Sequence, residues 1–439
     1  MARKFNDSTA QWVFSHVAVS TIKTGRGLRR HSPNQLARLV RSIGQFGIPV
    51  PIVVDSNYEV IDGHLVLKAA RKLGLAEVPV ARRDDLSDEQ VRALRIALNR
   101  LAELSCWDED ALGLELSELG NLNFDLELTG FSTPELDALF LSPVLPGEVI
   151  DLPTNDGAPA VSRDGDAWII GDHIIGCGDA RDVLMLNRVL GGELAQMVFT
   201  DVPYNMNIDG NAAGIHQSRY REFAMASGEM SSAEYRIFLE QSLGALTQLI
   251  LPGGIIYVCM DWKHLQPLLE VGELLNFEYK NLCVWAKTNF GMGSFYRSQH
   301  ELVVVFKAGQ GEHIRNIGPG TKGRNRTNLW TYAGVNGFSR GRSEALALHP
   351  TVKPLAMVAD AIRDCSKRGG IILDPFAGSG TTLTAAHHTG RRGRGIEIDP
   401  FYVDTIVRRL ERETGEHAIR GDGVTFAEAS ADAVRGQAA

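Results

Sequence analysis

The chain has 439 residues, enough for two or three domains with sizeable cores. Its 45 Lys+Arg against 53 Asp+Glu give a net charge of −8, and the balance fits a soluble, multi-domain intracellular protein. No apolar run approaches the ~18 residues of a membrane span, and the start lacks a signal-peptide core. Cys106, Cys177, Cys259, Cys283 and Cys365 are scattered with no CxxC pair, so neither a disulfide framework nor a metal site is expected, and the expected location is cytoplasmic.

Residues 14–83 read as a small α/β unit. A polar Ser32-Pro33-Asn34 start leads into a helix over 35–46, with Ser32 or Asn34 as cap. Strands over 52–55 and 58–61 flank a turn at Ser56-Asn57. Asp62-Gly63-His64 opens a helix over 65–73, closed by Gly74, and 78–80 is a further short strand. Residues 84–140 have leucines and alanines at helical spacing, and residues 84–151 carry a local charge of −13. A proline-rich stretch follows as a linker, and from Ala167 strands alternate with helices, the pattern of a doubly wound sheet.

Within that sheet, Met197-Val198-Phe199-Thr200 reads as a buried strand ending at Asp201-Val202-Pro203-Tyr204. Residues 280–342 then hold a local charge of +8, the footprint expected of a confined nucleic-acid face; a solvated loop is the plainer alternative. Further on, Gly370-Ile371-Ile372-Leu373 reads as a second strand, ending at Asp374-Pro375-Phe376-Ala377-Gly378-Ser379-Gly380-Thr381-Thr382. Gly378 and Gly380 suit a tight strand-to-helix turn whose backbone N–H groups face a ligand. Arg394 to Asp399 reads as the next strand, and Glu397 stands about twenty residues after the glycines, well placed for two ribose hydroxyls. Both acids at strand tips lie where open α/β sheets bind ligands. The Ala-rich end after Glu428 reads as frayed.

The string 374–382 together with Asp201-Val202-Pro203-Tyr204 resembles the amino-methyltransferases of DNA, adenine-N6 and cytosine-N4. The order of catalytic motif, basic region and cofactor motif is that of the family's β group. Ile48-Pro49-Val50-Pro51-Ile52-Val53-Val54 and Val60-Ile61-Asp62-Gly63-His64 resemble the ParB/sulfiredoxin-like domain, although Leu65 stands where that family carries an arginine after the turn.

These resemblances imply an α/β fold: a doubly wound, Rossmann-like S-adenosylmethionine-dependent methyltransferase sheet, preceded by a small ParB-like α/β domain and a helical segment. The expected divisions are a ParB-like domain over 1–83, a helical segment over 84–142 and a linker over 143–165. A methyltransferase domain over 166–428 would include a target-recognition region at 280–345, and 429–439 would form a flexible tail. S-adenosylmethionine is the implied cofactor, held by Asp179, Lys353, Asp374, Phe376, Gly378, Gly380, Thr381 and Glu397. Asp201 and the Val202 carbonyl would accept the two N–H groups of the target amine, Pro203 would shape the turn and Tyr204 would stack on the flipped base. Double-stranded DNA is the implied partner, contacted by Lys287, Arg297, Lys322, Arg324, Arg326, Arg340 and Arg342. A homodimer is among the assemblies expected. Asp at position 201 favours adenine over cytosine. The other readings are cytosine-N4 transfer, an RNA methyltransferase, and a ParB-type DNA-binding protein with a degenerate methyltransferase body.

Overall fold

The computed structural model describes residues 12–105, 107–122, 124–140, 159–205, 228–287, 295–318, 324–332 and 353–438. The chain divides into two compact units, Met1–Phe140 and Leu141–Ala439.

The first unit is built on a four-stranded sheet. Its elements in chain order are β1 (Val13–Ala18), α1 (Pro33–Phe46), β2 (Ile52–Val54), β3 (Val60–Asp62), α2 (His64–Lys72) and β4 (Glu77–Arg82), and the sheet order is β1-β4-β2-β3. Helix α1 starts where its sequence requires: the Ser32 hydroxyl accepts from the Gln35 amide, Gln35 returns the bond to the Ser32 amide, and Pro33 follows the cap. Ile52, Val54, Val60, Leu67, Ala70, Val78 and Val80 form its core.

Helices α3 (Asp88–Glu103), α4 (Glu109–Asn121) and α5 (Thr133–Leu139) complete this unit. They belong to the same body as the sheet. Arg95 of α3 donates to the Val60 carbonyl at 3.4 Å, and Arg41 of α1 pairs with Asp125 and Glu127. The leucine spacing that runs through 84–140 therefore covers three short helices, each with its own acid or hydroxyl cap (Ser87, Asp108, Ser132).

The second unit is a ten-stranded mixed sheet. It comprises β5 (Ala167–Ile170), β6 (His173–Cys177), α6 (Val183–Leu190), β7 (Ala195–Asp201), α7 (Ser232–Gly244), β8 (Ile250–Met260), α8 (Leu265–Leu274), β9 (Glu278–Lys287), β10 (His300–Lys307), β11 (Leu329–Tyr332), α9 (Leu355–Cys365), β12 (Ile371–Asp374), α10 (Thr381–His388), β13 (Arg392–Glu397), α11 (Pro400–Thr414), β14 (Ile419–Arg420) and α12 (Phe426–Ala438). The strand order is β11-β9-β10-β8-β7-β12-β13-β6-β5-β14. Strands β8, β7, β12, β13 and β6 run parallel, whereas β10 is antiparallel to both β8 and β9.

Both faces of the sheet are covered, so its central strands read as unbroken apolar runs. Val198 of β7 packs with Met185, Phe238, Leu239 and Leu268 from α6, α7 and α8. Its neighbours Met197 and Phe199 point the other way, against Met357, Val358 and Ile362 of α9 and Ala385 of α10. The period of two in side-chain direction thus builds a three-layer body from one strand.

Two boundaries differ from the sequence expectation. Residues 161–162, expected in the linker, already belong to the second unit: the Asp404 carboxylate accepts from the Val161 amide at 2.8 Å and the Ser162 amide at 2.9 Å. The terminal segment, expected as a flexible tail from 429, is helical to Ala438, and Phe426 at its head packs edge-on against Trp168 at 5.2 Å.

Candidate active site

The parallel strands bring the three expected acids to one edge. Asp201 ends β7, Asp374 ends β12 and Glu397 ends β13, the carboxyl ends of adjacent parallel strands. Because β10 and β9 are antiparallel to each other, the start of β10 and the end of β9 meet at one side, with His300 opposite Ala286. The register of β10 on β8 sets Leu302 opposite Met260 and that of β7 sets Asp201 opposite Cys259, so Glu301 and Lys287 arrive at the edge that holds Asp201.

At this edge two side chains bond Asp201, and a second carboxylate pair adjoins them. Tyr204 donates to its Oδ1 at 2.7 Å, and Lys353 donates to its Oδ2 at 2.5 Å. The same Lys353 ammonium lies 3.0 Å from Glu301 Oε2, while Lys287 lies 2.5 Å from Glu301 Oε1. Burial pushes the Asp201 carboxyl up from its ordinary value; Lys353 opposes the rise and Glu301 adds to it. Burial acts in the same sense on Glu301, but Lys353 and Lys287 outweigh it and hold that carboxyl low. The two carboxylates are thereby driven in opposite directions, Asp201 up and Glu301 down.

The turn after β7 is fixed from below. Val202 is buried in the core at 1% exposure, and the Tyr235 hydroxyl of α7 donates to the Pro203 carbonyl at 2.8 Å. Asn205 takes a left-handed φ of 51°, and its side chain accepts from the Gly228 and Met230 amides at 3.2 Å. The Tyr204 ring packs against the core and has the Lys353 ammonium 5.6 Å from its centroid.

The second cluster is the glycine turn. Gly378 and Gly380 both take positive φ, 53° and 80°, and a Cβ on Gly380 would lie 2.9 Å from Ile406. Gly380 caps α10 without a side-chain bond of its own. Glu397 braces the turn: its Oε2 accepts from the Gly378 amide and its Oε1 from the Asp399 amide, both at 2.9 Å. Each oxygen keeps a lone pair for a hydroxyl donor. Burial raises the Glu397 carboxyl to about 7 and the Asp374 carboxyl to about 6. Asp374 accepts from the Phe376 amide at 3.1 Å, Thr381 is buried at the head of α10, and the Phe376 ring stands 5.8 Å from Phe238. A turn with outward N–H groups, an aromatic wall and an acid with spare acceptor capacity fits the ribose and methionine ends of S-adenosylmethionine.

Several expected site residues stand elsewhere or do other work. Lys353, expected in the cofactor set, bonds Asp201 at the end of β7. Asp179 does sit beside the cradle, since the Gly178 amide donates to the Glu397 carbonyl at 2.9 Å; its carboxylate is occupied by Arg181 at 3.0 and 2.6 Å.

The basic segment also needs correcting. Arg324 bonds Asp360 and Asp364 of α9, at 3.2 and 2.6 Å, and Arg326 bonds Asp360 and the Tyr332 hydroxyl at 2.6 and 2.7 Å. Both guanidiniums are mostly buried and tie the segment before β11 to α9. Lys287 is committed to Glu301, and Lys280 and Lys307 share Glu278. Arg297 is exposed on the approach to β10, next to exposed Phe295 and Tyr296. Lys322, Arg340 and Arg342 lie outside the described residues.

Glu301 is the site residue that sequence reasoning passed over. Its signal was a charged residue at the head of an otherwise apolar strand, Leu302 to Phe306.

Three family models match the chain. A family model described as DNA methylase matches residues 195–408, the ParB-methyltransferase HTH domain matches 110–164, and the ParB N-terminal domain matches 3–100. The Type II methyltransferase M.HpaI of Haemophilus parainfluenzae is 25% identical over 231 residues, 49% of this chain and 68% of that protein. M.ScaI of Streptomyces caespitosus is 42% identical over 91 residues, 21% of this chain and 30% of the relative. M.HinfI of Haemophilus influenzae is 25% identical over 235 residues, 51% and 65%. The chain thus spans less than two thirds of the length of the latter two relatives. Among solved structures, M1.HpyAVI matches with 20% identity and a TM-score of 0.39 over 54% of this chain and 97% of its own. The chain has the domain architecture of an N6/N4-type DNA methyltransferase, which takes S-adenosylmethionine, with an N-terminal ParB-like domain.

Proposed function

We propose that the protein transfers a methyl group from S-adenosylmethionine to the exocyclic N6 amine of adenine in double-stranded DNA. The observation that carries this reading is the spacing of the two clusters: the amine-accepting carboxylate Asp201 and the donor-binding Glu397 end strands separated only by β12. S-adenosylmethionine supplies an electrophilic methyl on a sulfonium centre.

The chain's own task is to make a weak nucleophile attack. An exocyclic amine is delocalised into its ring. Asp201 accepts one of its N–H bonds and the Val202 carbonyl the other, which draws the nitrogen toward tetrahedral geometry and stabilises the charge that develops. A raised Asp201 carboxyl suits the residue to hold the proton that the amine sheds afterwards. Tyr204 offers its ring to a base swung out of the duplex. Gly378, Gly380, Phe376, Asp374 and Thr381 form the donor cradle, with Glu397 on the ribose. The DNA approaches over Arg297 and the exposed rings of Phe295 and Tyr296. An Asp at position 201 favours adenine.

The test is base analysis of DNA incubated with the protein and S-adenosylmethionine, digested to nucleosides. N6-methyladenine is the expected product. N4-methylcytosine would move the assignment to the other amine, and unmodified DNA alongside measurable donor binding would contradict transfer to DNA altogether.

A further inference from the structure

Both oxygens of Asp201 are engaged before any base arrives. Tyr204 takes Oδ1, and Oδ2 is held by Lys353, whose Nζ is itself an amine carrying N–H donors. Lys353 and Glu301 are 6% and 13% exposed, so the ammonium cannot leave Asp201 for bulk water without stranding buried charge. Among the described residues two other acceptors lie within reach, the Tyr204 hydroxyl at 3.3 Å and the Glu301 carboxylate, and only the carboxylate neutralises the ammonium. Glu301 Oε2 lies 3.0 Å away, and that carboxylate is anchored through its other oxygen to Lys287.

We infer that Lys353 is a placeholder for the target amine, and that Glu301 is the carboxylate to which it withdraws when the base enters. The inference rests on the assignment of Asp201 as amine acceptor. Two carboxylates and two ammoniums balance at rest. A neutral amine replacing Lys353 on Asp201 leaves that balance intact only if the ammonium stays inside the cluster, on Glu301. The exchange is a short swing between two oxygens that Lys353 already bridges. Glu301 and Lys353 are therefore positioning residues: they keep Asp201 ionised and oriented, then yield it.

Asp201 is faced by Lys353, Glu301 and Tyr204, and also senses Cys259 of β8, Tyr235 of α7 and Asp374 of β12. Of these, Lys353 lowers its pKa and Glu301 raises it, which gives the two variants opposite signatures. Transfer needs Asp201 ionised, so activity falls on the acid side as Asp201 takes up a proton. In Glu301→Gln the raising charge is gone and Lys353 stays on Asp201, so the acid limb moves to lower pH. In Lys353→Met the lowering charge is gone, so the limb moves to higher pH.

The experiment uses the full chain, with donor affinity from calorimetry and kcat/KM on duplex DNA across pH. Glu301→Gln is expected to bind S-adenosylmethionine as the wild type does, which also reports an intact fold. It should lose roughly a hundredfold in kcat/KM, because the amine site stays occupied. Glu301→Asp should recover part of the loss, and the two acid limbs should move in opposite directions. Wild-type kcat/KM in Glu301→Gln would overturn the inference, as would a loss of activity with neither limb displaced, which marks a merely structural role. A tenfold weaker donor affinity in Lys353→Met would also overturn it, by placing the ammonium on the methionine carboxylate. Asp201→Ala separates the two levels. If it keeps turnover, the Asp201 assignment falls and the placeholder with it; if it is inactive while Glu301→Gln is normal, only the placeholder falls.

Discussion

A carboxylate that braces a glycine turn and also faces a ligand has its protonation coupled to both tasks. Glu397 accepts one backbone N–H on each oxygen, and burial raises its pKa to about 7. Ribose hydroxyls would donate to the ionised form, so a proton and the donor compete for the same lone pairs. Affinity for S-adenosylmethionine is therefore expected to rise as pH climbs through about 7 and then level off, and to fall as pH drops below it. Glu397→Ala removes two hydrogen bonds to a charged group, at ~1.5–3 kcal/mol each, and should weaken donor binding by tenfold or more. Calorimetry at several pH values checks both. An affinity that is flat with pH and unchanged in the variant would take Glu397 off the ribose. The Gly380 position carries a companion constraint, since its φ of 80° and the nearby Ile406 both penalise any side chain there.

Among the elements, helix α9 shows how a local charge excess can mislead. Its Asp360 and Asp364 stand one turn apart on a mostly buried helix, and they gather Arg324 and Arg326 from the segment before β11. Arg326→Ala should therefore lower stability by roughly 1.5–3 kcal/mol, by leaving buried carboxylates short of a partner, with little direct change in phosphate contacts. A thermal melt set beside a salt titration of DNA binding distinguishes this from a DNA contact; a normal melt with a flattened salt slope would return Arg326 to the DNA face. The elements legible in the sequence were those with a local signature: the Ser32-Pro33 start of α1, the apolar run of β7 and the glycines before α10. The acid at the tip of β7 was equally plain, because a charge closing an apolar run has few structural reasons to be there, and Glu397 at the tip of β13 was marked by its distance from the glycines. Less legible were β1 and β14, the first a mostly exposed edge strand and the second only two residues long. The ion pairs of Arg324 and Arg326 were hidden for another reason. Their partners lie more than thirty residues away, so composition reports the cations without reporting what neutralises them.

On the scale of the whole molecule, the two compact units divide the chain so that every described residue of the amine site and the donor cradle falls in the second. A chain begun at Leu141 is expected to fold, bind S-adenosylmethionine and methylate naked DNA, with change confined to affinity or target choice. A truncated chain that binds donor but leaves DNA unmodified would make the ParB-like unit part of the catalytic apparatus. The second unit has one sheet edge where parallel strands bring the glycine turn and Asp201 together, the pair to which we assign the methyl donor and the target amine. That juxtaposition is tested most directly by Asp201→Ala in the full chain, with nucleoside analysis of the DNA product and donor affinity measured on one preparation. The expected result is N6-methyladenine from the wild type, none from the variant, and donor affinity within a few-fold in both. N6-methyladenine formed at the wild-type rate by Asp201→Ala would contradict it.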